Sequence, residues 1–136
     1  MAVPLTNEAK ALIEGKNFAH VVTLMADGSP QVTPVWVDHD GTYVRINTAE
    51  GRIKARNLRR DPRVALSIAD SENQYHYVQI RGHVVELTKE GAWEHISSLA
   101  RKYMGPDAAF PAADRDRRLM IKIEPDHISS WTASRD

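Results

Sequence analysis

The chain contains no cysteine. That excludes a disulfide framework, a thiolate metal site and a cysteine nucleophile together. It fits a reducing compartment, so a cytoplasmic location is expected. No apolar run approaches the ~18–20 residues that a membrane span requires, so no membrane partner is expected. The first residues, Met1 to Lys16, hold Glu8 and Glu14 and no long apolar core, so they do not read as a signal peptide. The seven glycines form neither a G-x-G-x-x-G fingerprint nor a phosphate loop. No G-x-S-x-G nucleophile elbow occurs. His20, His39, His76, His83, His95 and His127 are scattered, with no two at ligand spacing on one element, so no metal site is expected. No carboxylate pair stands out as an acid–base dyad, and no catalytic side chain is assigned.

The 136 residues are one domain's worth of chain, expected to fold as a single unit over 1–136. Hydrophobic residues make up 42%, enough for a core without a staple. Net charge is zero, yet the charge is unevenly spread. Six basic residues (Arg52, Lys54, Arg56, Arg59, Arg60, Arg63) face one acid, Asp61, so this window carries +5 and the remainder −5. A local basic cluster in a neutral chain suggests a small anionic partner. Nucleic-acid binders carry broader basic faces, and no aromatic residues are interleaved here to stack on bases.

The pattern predicts a short helix over Thr6 to Glu14, with Thr6 as N-cap and Leu5, Ala9, Leu12 and Ile13 on one side. Strands are predicted over Phe18 to Met25, Gln31 to Val37, Thr42 to Asn47, Val64 to Ala69, Tyr75 to Leu87 and Leu119 to Ile123. Ile128 to Trp131 is expected to close the core. Asp27-Gly28 and Asp40-Gly41 read as hairpin turns. Pro34 marks an edge, a bulge or a place where a ligand replaces a strand partner. Gly82 reads as a bulge or kink. Two further helices are predicted, Arg52 to Arg60, stopped by Asp61-Pro62, and Lys89 to Met104, capped by Thr88. The stretch from Gly105 to Asp116 reads as loop. Six strands joined by tight turns, with helices at the periphery, argue for a mainly β fold: an antiparallel sheet closing as a small barrel.

The strongest local feature is Thr48-Ala49-Glu50-Gly51-Arg52-Ile53-Lys54-Ala55-Arg56-Asn57-Leu58. It runs from a strand end through a glycine turn into a helix. A helix N-terminus offers unpaired N–H groups and a positive dipole end, which suit phosphate or carboxylate. Arg52 and Lys54 add two charges and Thr48 a hydroxyl. A solvated basic face competes with that reading, since Arg52, Arg56 and Arg59 or Arg60 fall on one stripe. Trp36 on its strand, and Tyr75 with Tyr77 two apart, read as packing or as the walls of a flat pocket.

The run NTAEGRIKARNLRRDPRVAL resembles the cofactor segment of the pyridoxamine 5′-phosphate oxidase-like split β-barrel proteins. It is most similar to the flavin/deazaflavin oxidoreductase branch that uses coenzyme F420. The opening helix, GSPQVTPVWV after an Asp-Gly turn, and the closing IKIEPDHISSW fall in family order. The resemblance implies a six-stranded antiparallel split β-barrel and a homodimer with two cofactor sites at its interface. Apolar residues such as Trp36 and Val78 would then be covered. It assigns Thr48, Arg52 and Lys54 to the cofactor phosphate, with Asn57 nearby. It lays Val32 to Val37 along the tricyclic ring, so Pro34, Val35 and Trp36 become cofactor contacts. Tyr75 and Tyr77 match aromatic positions near the pocket, contributed by the other subunit.

Vitamin B6 oxidases resemble R-x-V-x-L-K across the second strand, with both basic residues on the FMN phosphate. Here that strand reads Val32-Thr33-Pro34-Val35-Trp36-Val37, with no base. Nor does the chain, ending Ser134-Arg135-Asp136, show the oxidases' basic substrate segment. The resemblance therefore implies an F420-dependent oxidoreductase acting on a flat small-molecule electron acceptor. In such a reaction the deazaflavin carries the hydride and the protein supplies binding and orientation. An FMN-binding reductase or oxidase of the same fold is the first alternative. A non-enzymatic protein holding F420 or a tetrapyrrole is the second.

Overall fold

A computed structural model describes residues 2–132. Ser134, Arg135 and Asp136 lie outside them. Helix α1 (Asn7–Glu14) begins as the sequence predicts: Thr6 Oγ1 accepts from the Ala9 N–H at 3.1 Å, and Ala9, Leu12 and Ile13 turn inward. The Asn17 side-chain amide then donates to the Leu12 carbonyl at 2.9 Å, satisfying one of the orphan groups of the last turn.

Seven strands follow: β1 (Ala19–Leu24), β2 (Pro30–Val35), β3 (Asp38–His39), β4 (Val44–Ala49), β5 (Arg63–Ala69), β6 (His76–Thr88) and β7 (Arg118–Thr132). They form one antiparallel sheet in the order β2-β1-β5-β6-β7-β4-β3. The count exceeds the expected six because Asp38 and His39 pair with Arg45 and Val44 as a two-residue strand. The two segments expected at Leu119 and Ile128 are instead one 15-residue strand.

The curl of the sheet comes from β6 and β7. They pair along most of their length, with register shifts between Arg81 and Gly82 and between Val84 and Glu86. Such bulges bend a strand and raise its twist. A Cβ built on Gly82 would lie 2.2 Å from the Glu124 carbonyl oxygen, so only glycine lets the two backbones approach this closely. The inner face is apolar, with Val21, Ile46, Leu66, Ile68, Ile80, Ile121 and Ile123 fully buried. Val78 is among the buried residues and cannot serve as surface for a partner. Trp131 is 56% exposed and does not close the core.

Helix α2 (Ile53–Arg60) follows β4, and α3 (Ala92–Met104) follows β6. The last helix starts three residues later than Thr88 suggests. Gly91, at φ 76°, takes the left-handed conformation that breaks the chain there, while the Thr88 hydroxyl accepts from the Glu90 N–H in a local turn. A short 3-10 turn (Ala112–Arg117) occupies part of the predicted loop. Among the described residues no helix is long and apolar enough to cross a membrane.

Candidate functional site

The end of β4 and the start of α2 meet in a tight turn. Gly51 takes φ 86°, which a residue with a Cβ rarely adopts, and the chain reverses there into Arg52, the N-cap of α2. The Arg52 side chain makes no capping bond, so the first turn of α2 keeps its unpaired N–H groups. Thr48 is buried at the strand end, and Lys54 is half-buried in that first turn. Beside them, paired with Ala49 at the end of β4, stands Arg118, the first residue of β7, which lines the same cleft and is only 6% exposed.

Three cations therefore converge on one place. Burial, and then the Arg52 charge, pull the Lys54 ammonium below the ordinary lysine range. Burial also lowers Arg118, Asp114 opposes this, and Arg52 adds to it. Burying like charges side by side is unfavourable unless an anion neutralises them. A phosphate fits this donor set of guanidinium groups, an ammonium, a hydroxyl and helix N–H groups.

The opposite wall is β2, an edge strand. Pro30 and Pro34 fix its phase. Neither can donate, so the pairs Leu24↔Pro30 and His20↔Pro34 must be the non-hydrogen-bonded pairs of the ladder. The intervening Val32 N–H and C=O and the Pro34 C=O then point away from β1, free for a ligand. Thr33 Oγ1 is buried without a partner in this wall. Trp36 closes it, stacked on Tyr103 with ring centroids 5.5 Å apart and planes 8° from parallel. Tyr103 is fixed in turn. Its hydroxyl donates to the Asn17 carbonyl at 2.6 Å and accepts from the Val37 N–H at 3.2 Å, and burial pushes its pKa up to about 12. Lys102 adds a bond to the Val37 carbonyl at 2.8 Å.

Pro34, Val35, Trp36, Thr48, Arg52 and Lys54 line this one cleft of about 300 Å³. The other three sequence-assigned residues lie elsewhere. Asn57 is buried under α2, donating to Thr23 Oγ1 at 3.0 Å and accepting from Arg60 at 2.8 Å. Tyr75 and Tyr77 are 61% and 37% exposed, and Tyr77 lies opposite Trp131 on the outer face of the sheet. Thr33, within the Val32 to Val37 stretch expected along the ring, also lines the cleft, whereas sequence reasoning missed Asn47, Phe110 and Arg118. Asn47 adjoins an assigned residue. Phe110 and Arg118 follow α3 and carry no motif.

The basic stripe divides into two kinds of residue. Arg52 and Lys54 face the cleft, whereas Arg59 pairs with Glu50 at 2.7 Å and Arg60 donates to the Leu24 carbonyl at 3.0 Å. Arg63 pairs with Asp61, whose pKa falls to about 2 through that contact. The bulge at Gly82 also gathers His83, Glu124 and Asp126. There each ring nitrogen of His83 faces its own carboxylate, at 2.8 Å for Asp126 and 3.3 Å for Glu124.

Residues 5–132 match the family model described as pyridoxamine 5′-phosphate oxidase. The chain belongs to that family. Among solved structures it is similar to an F420 reductase, with 32% identity, a TM-score of 0.80, and coverage of 88% of this chain and 94% of that one. A conserved hypothetical protein from Mycobacterium tuberculosis shares 25% identity over 96% of this chain and 86% of its own, at a TM-score of 0.77. HupZ from Group A Streptococcus has the same fold, at 23% identity and a TM-score of 0.65, covering 95% of this chain and 98% of its own. The family match and the F420 reductase neighbour share the fold of flavin or deazaflavin oxidoreductases, and the cleft lies between edge strand β2 and β4.

Proposed function

We propose that the protein is an F420-dependent oxidoreductase that passes a hydride from the reduced deazaflavin to a flat, conjugated small-molecule acceptor. The observation that carries this reading is the mixed lining of one cleft: Arg52, Lys54, Arg118 and the Thr48 hydroxyl stand in it together with Trp36 and edge strand β2. Bound there, the cofactor would supply the hydride. Arg52, Lys54 and Thr48 would hold its phosphate, and Val32 to Trp36 would orient its ring. Trp36, fixed on Tyr103, would limit water at the ring.

Two points favour F420 over FMN. A 32% identical relative is an F420 reductase. The second strand also lacks the two bases that serve the FMN phosphate in the B6 oxidases. The extra charge for the carboxylate tail of F420 cannot come from Arg59 or Arg60, which are engaged within the chain. Arg117 is engaged in the same way, by the Glu50 carbonyl at 3.1 Å and by Asp114, so the exposed Arg56 is the candidate. FMN remains the second reading because the same cations suit the phosphate of either cofactor.

The working form would be a cytoplasmic homodimer. A cleft of about 300 Å³ is at the small end for a ligand of this size, so one chain would wall only part of the cofactor. Strand register puts Val22, Val32, Ala69, Tyr77 and Trp131 on one outer face, which a second copy would cover. Tyr75 and Tyr77 would then approach the partner's cleft. Titrating the purified protein with F420 and FMN, then following oxidation of the reduced cofactor by quinones and enones, tests the reading. Binding of F420 without turnover on any acceptor would favour a carrier over an enzyme.

A further inference from the structure

Arg118 is distinguished by how it is held. Its Nε–H donates to Asn47 Oδ1 at 2.8 Å. The Nδ2 group of the same amide donates to the Ala92 carbonyl at 2.9 Å and meets His95 Nδ1 at 3.1 Å. A guanidinium on one side and a carbonyl on the other fix which way the amide points. His95 Nδ1 must therefore accept, so the ring carries its proton on Nε2. Nε2 lies 3.0 Å from Asp38 Oδ1. Asp38 takes a two-pronged bond from Arg45, at 2.9 Å to each oxygen. Burial pushes the Asp38 carboxyl up, but the bonds from His95 and Arg45 outweigh it and hold the group below its usual range.

The chain Arg45–Asp38–His95–Asn47–Arg118 thus ties β3, β4, α3 and β7 together, with each donor on an acceptor. His95 is 4% exposed and does not line the cleft. At the far end Arg118 lies against the Phe110 ring, 4.8 Å from its centroid, and pairs loosely with Asp114 at 3.6 Å. A buried polar relay of this kind orients the group at its end. Here that group is a cation on the wall of an anion cleft. An arginine fixed in advance loses little freedom when a ligand arrives.

We propose that Arg118 is a third cationic contact to the cofactor phosphate, beside Arg52 and Lys54, and that Asn47 and His95 are the positioning residues that aim it. The inference rests on the cleft being an anion site, whichever cofactor fills it. The competing role is a purely internal strut.

The test uses the full chain, with F420, FMN and inorganic phosphate as probes. Arg118→Gln, His95→Phe and the double variant are compared with wild type, with melting curves run alongside. Arg118→Gln should weaken all three probes, by roughly ten- to a hundredfold for the cofactors, as expected for a lost hydrogen bond to a charged group. His95→Phe keeps every cation and replaces no residue that lines the cleft, yet should weaken binding several-fold by releasing Asn47. In the Arg118→Gln background it should add nothing, because its effect passes through Arg118. If His95→Phe does not fold, Asp38→Asn takes its place under the same requirement. Wild-type affinity in Arg118→Gln, or penalties that simply multiply in the double variant, overturns the proposal. Loss of FMN and phosphate binding in Arg118→Gln from a protein that never binds F420 overturns only the F420 reading. A wild type that binds none of the probes overturns both.

Discussion

Replacing Lys54 with methionine should weaken cofactor binding and raise the melting temperature of the free protein together. The ammonium is held below its ordinary value of 10.5 by burial first and by Arg52 second. A lysine whose pKa is lower folded than unfolded destabilises the fold while it is charged. That penalty is complete below the folded pKa, shrinks as the pH climbs through the interval, and is gone above the unfolded value. Methionine keeps the apolar stem and removes the charge. The gain in melting temperature should therefore be clear at pH 7 and vanish toward pH 10.5. Binding should move the other way. Losing a hydrogen bond to a charged group costs about 1.5–3 kcal/mol, or roughly ten- to a hundredfold in Kd. Cofactor at a hundred times the wild-type Kd stabilises the wild type by about 2.7 kcal/mol. If the variant's Kd rises a hundredfold, the same concentration gives about 0.4 kcal/mol. For a domain of this size that is a thermal shift of roughly 10 °C against 1–2 °C. Melting curves at both pH values, with and without cofactor, read both effects. A variant that melts lower than wild type and still shows the full ligand shift would refute the reasoning and make Lys54 a packing residue.

Other perturbations follow from the same geometry. Gly82→Ala would push a methyl group onto the Glu124 carbonyl at the β6–β7 bulge, and should cost about 1–3 kcal/mol in denaturant melts. Arg59→Ala removes a side chain already paired with Glu50, so cofactor Kd should change less than about threefold, as for exposed ion pairs. Light scattering at micromolar concentration should give twice the 15.3 kDa chain mass, and Trp131→Glu on the exposed sheet face should shift it toward monomer. A wild-type monomer with full cofactor affinity would remove the dimer from the account.

Local signals carried much of this structure. Alternation in Val64 to Ala69, the Asp-Gly turns and the Thr6 cap act within a few residues, so the sequence read them directly. Gly82 was legible as a bulge because glycine is out of place in a strand interior. Thr48, Arg52 and Lys54 were legible because strand end, turn and helix start are contiguous. What escaped depends on partners far along the chain. Arg118 reaches the cleft because β7 pairs with β4, with Ala49 opposite Arg118. Arg59 and Arg60 look free in sequence, yet Glu50 and the Leu24 carbonyl engage them once α2 packs. Val78 and Tyr77 show that alternation gives period two without saying which residue faces inward. Only the sheet's curl decides that Val78 lies in the core and Tyr77 outside.

The most direct test is a fluorescence titration of the purified protein with F420 and with FMN at low and high salt. Arg56 would contribute ~0–1 kcal/mol toward the carboxylate tail, so F420 should bind up to about fivefold tighter than FMN at low salt. The advantage should shrink at high salt, because exposed charges are screened. FMN binding as tightly as F420, or more tightly, at low salt would contradict the account and make the protein an FMN-dependent member of the family.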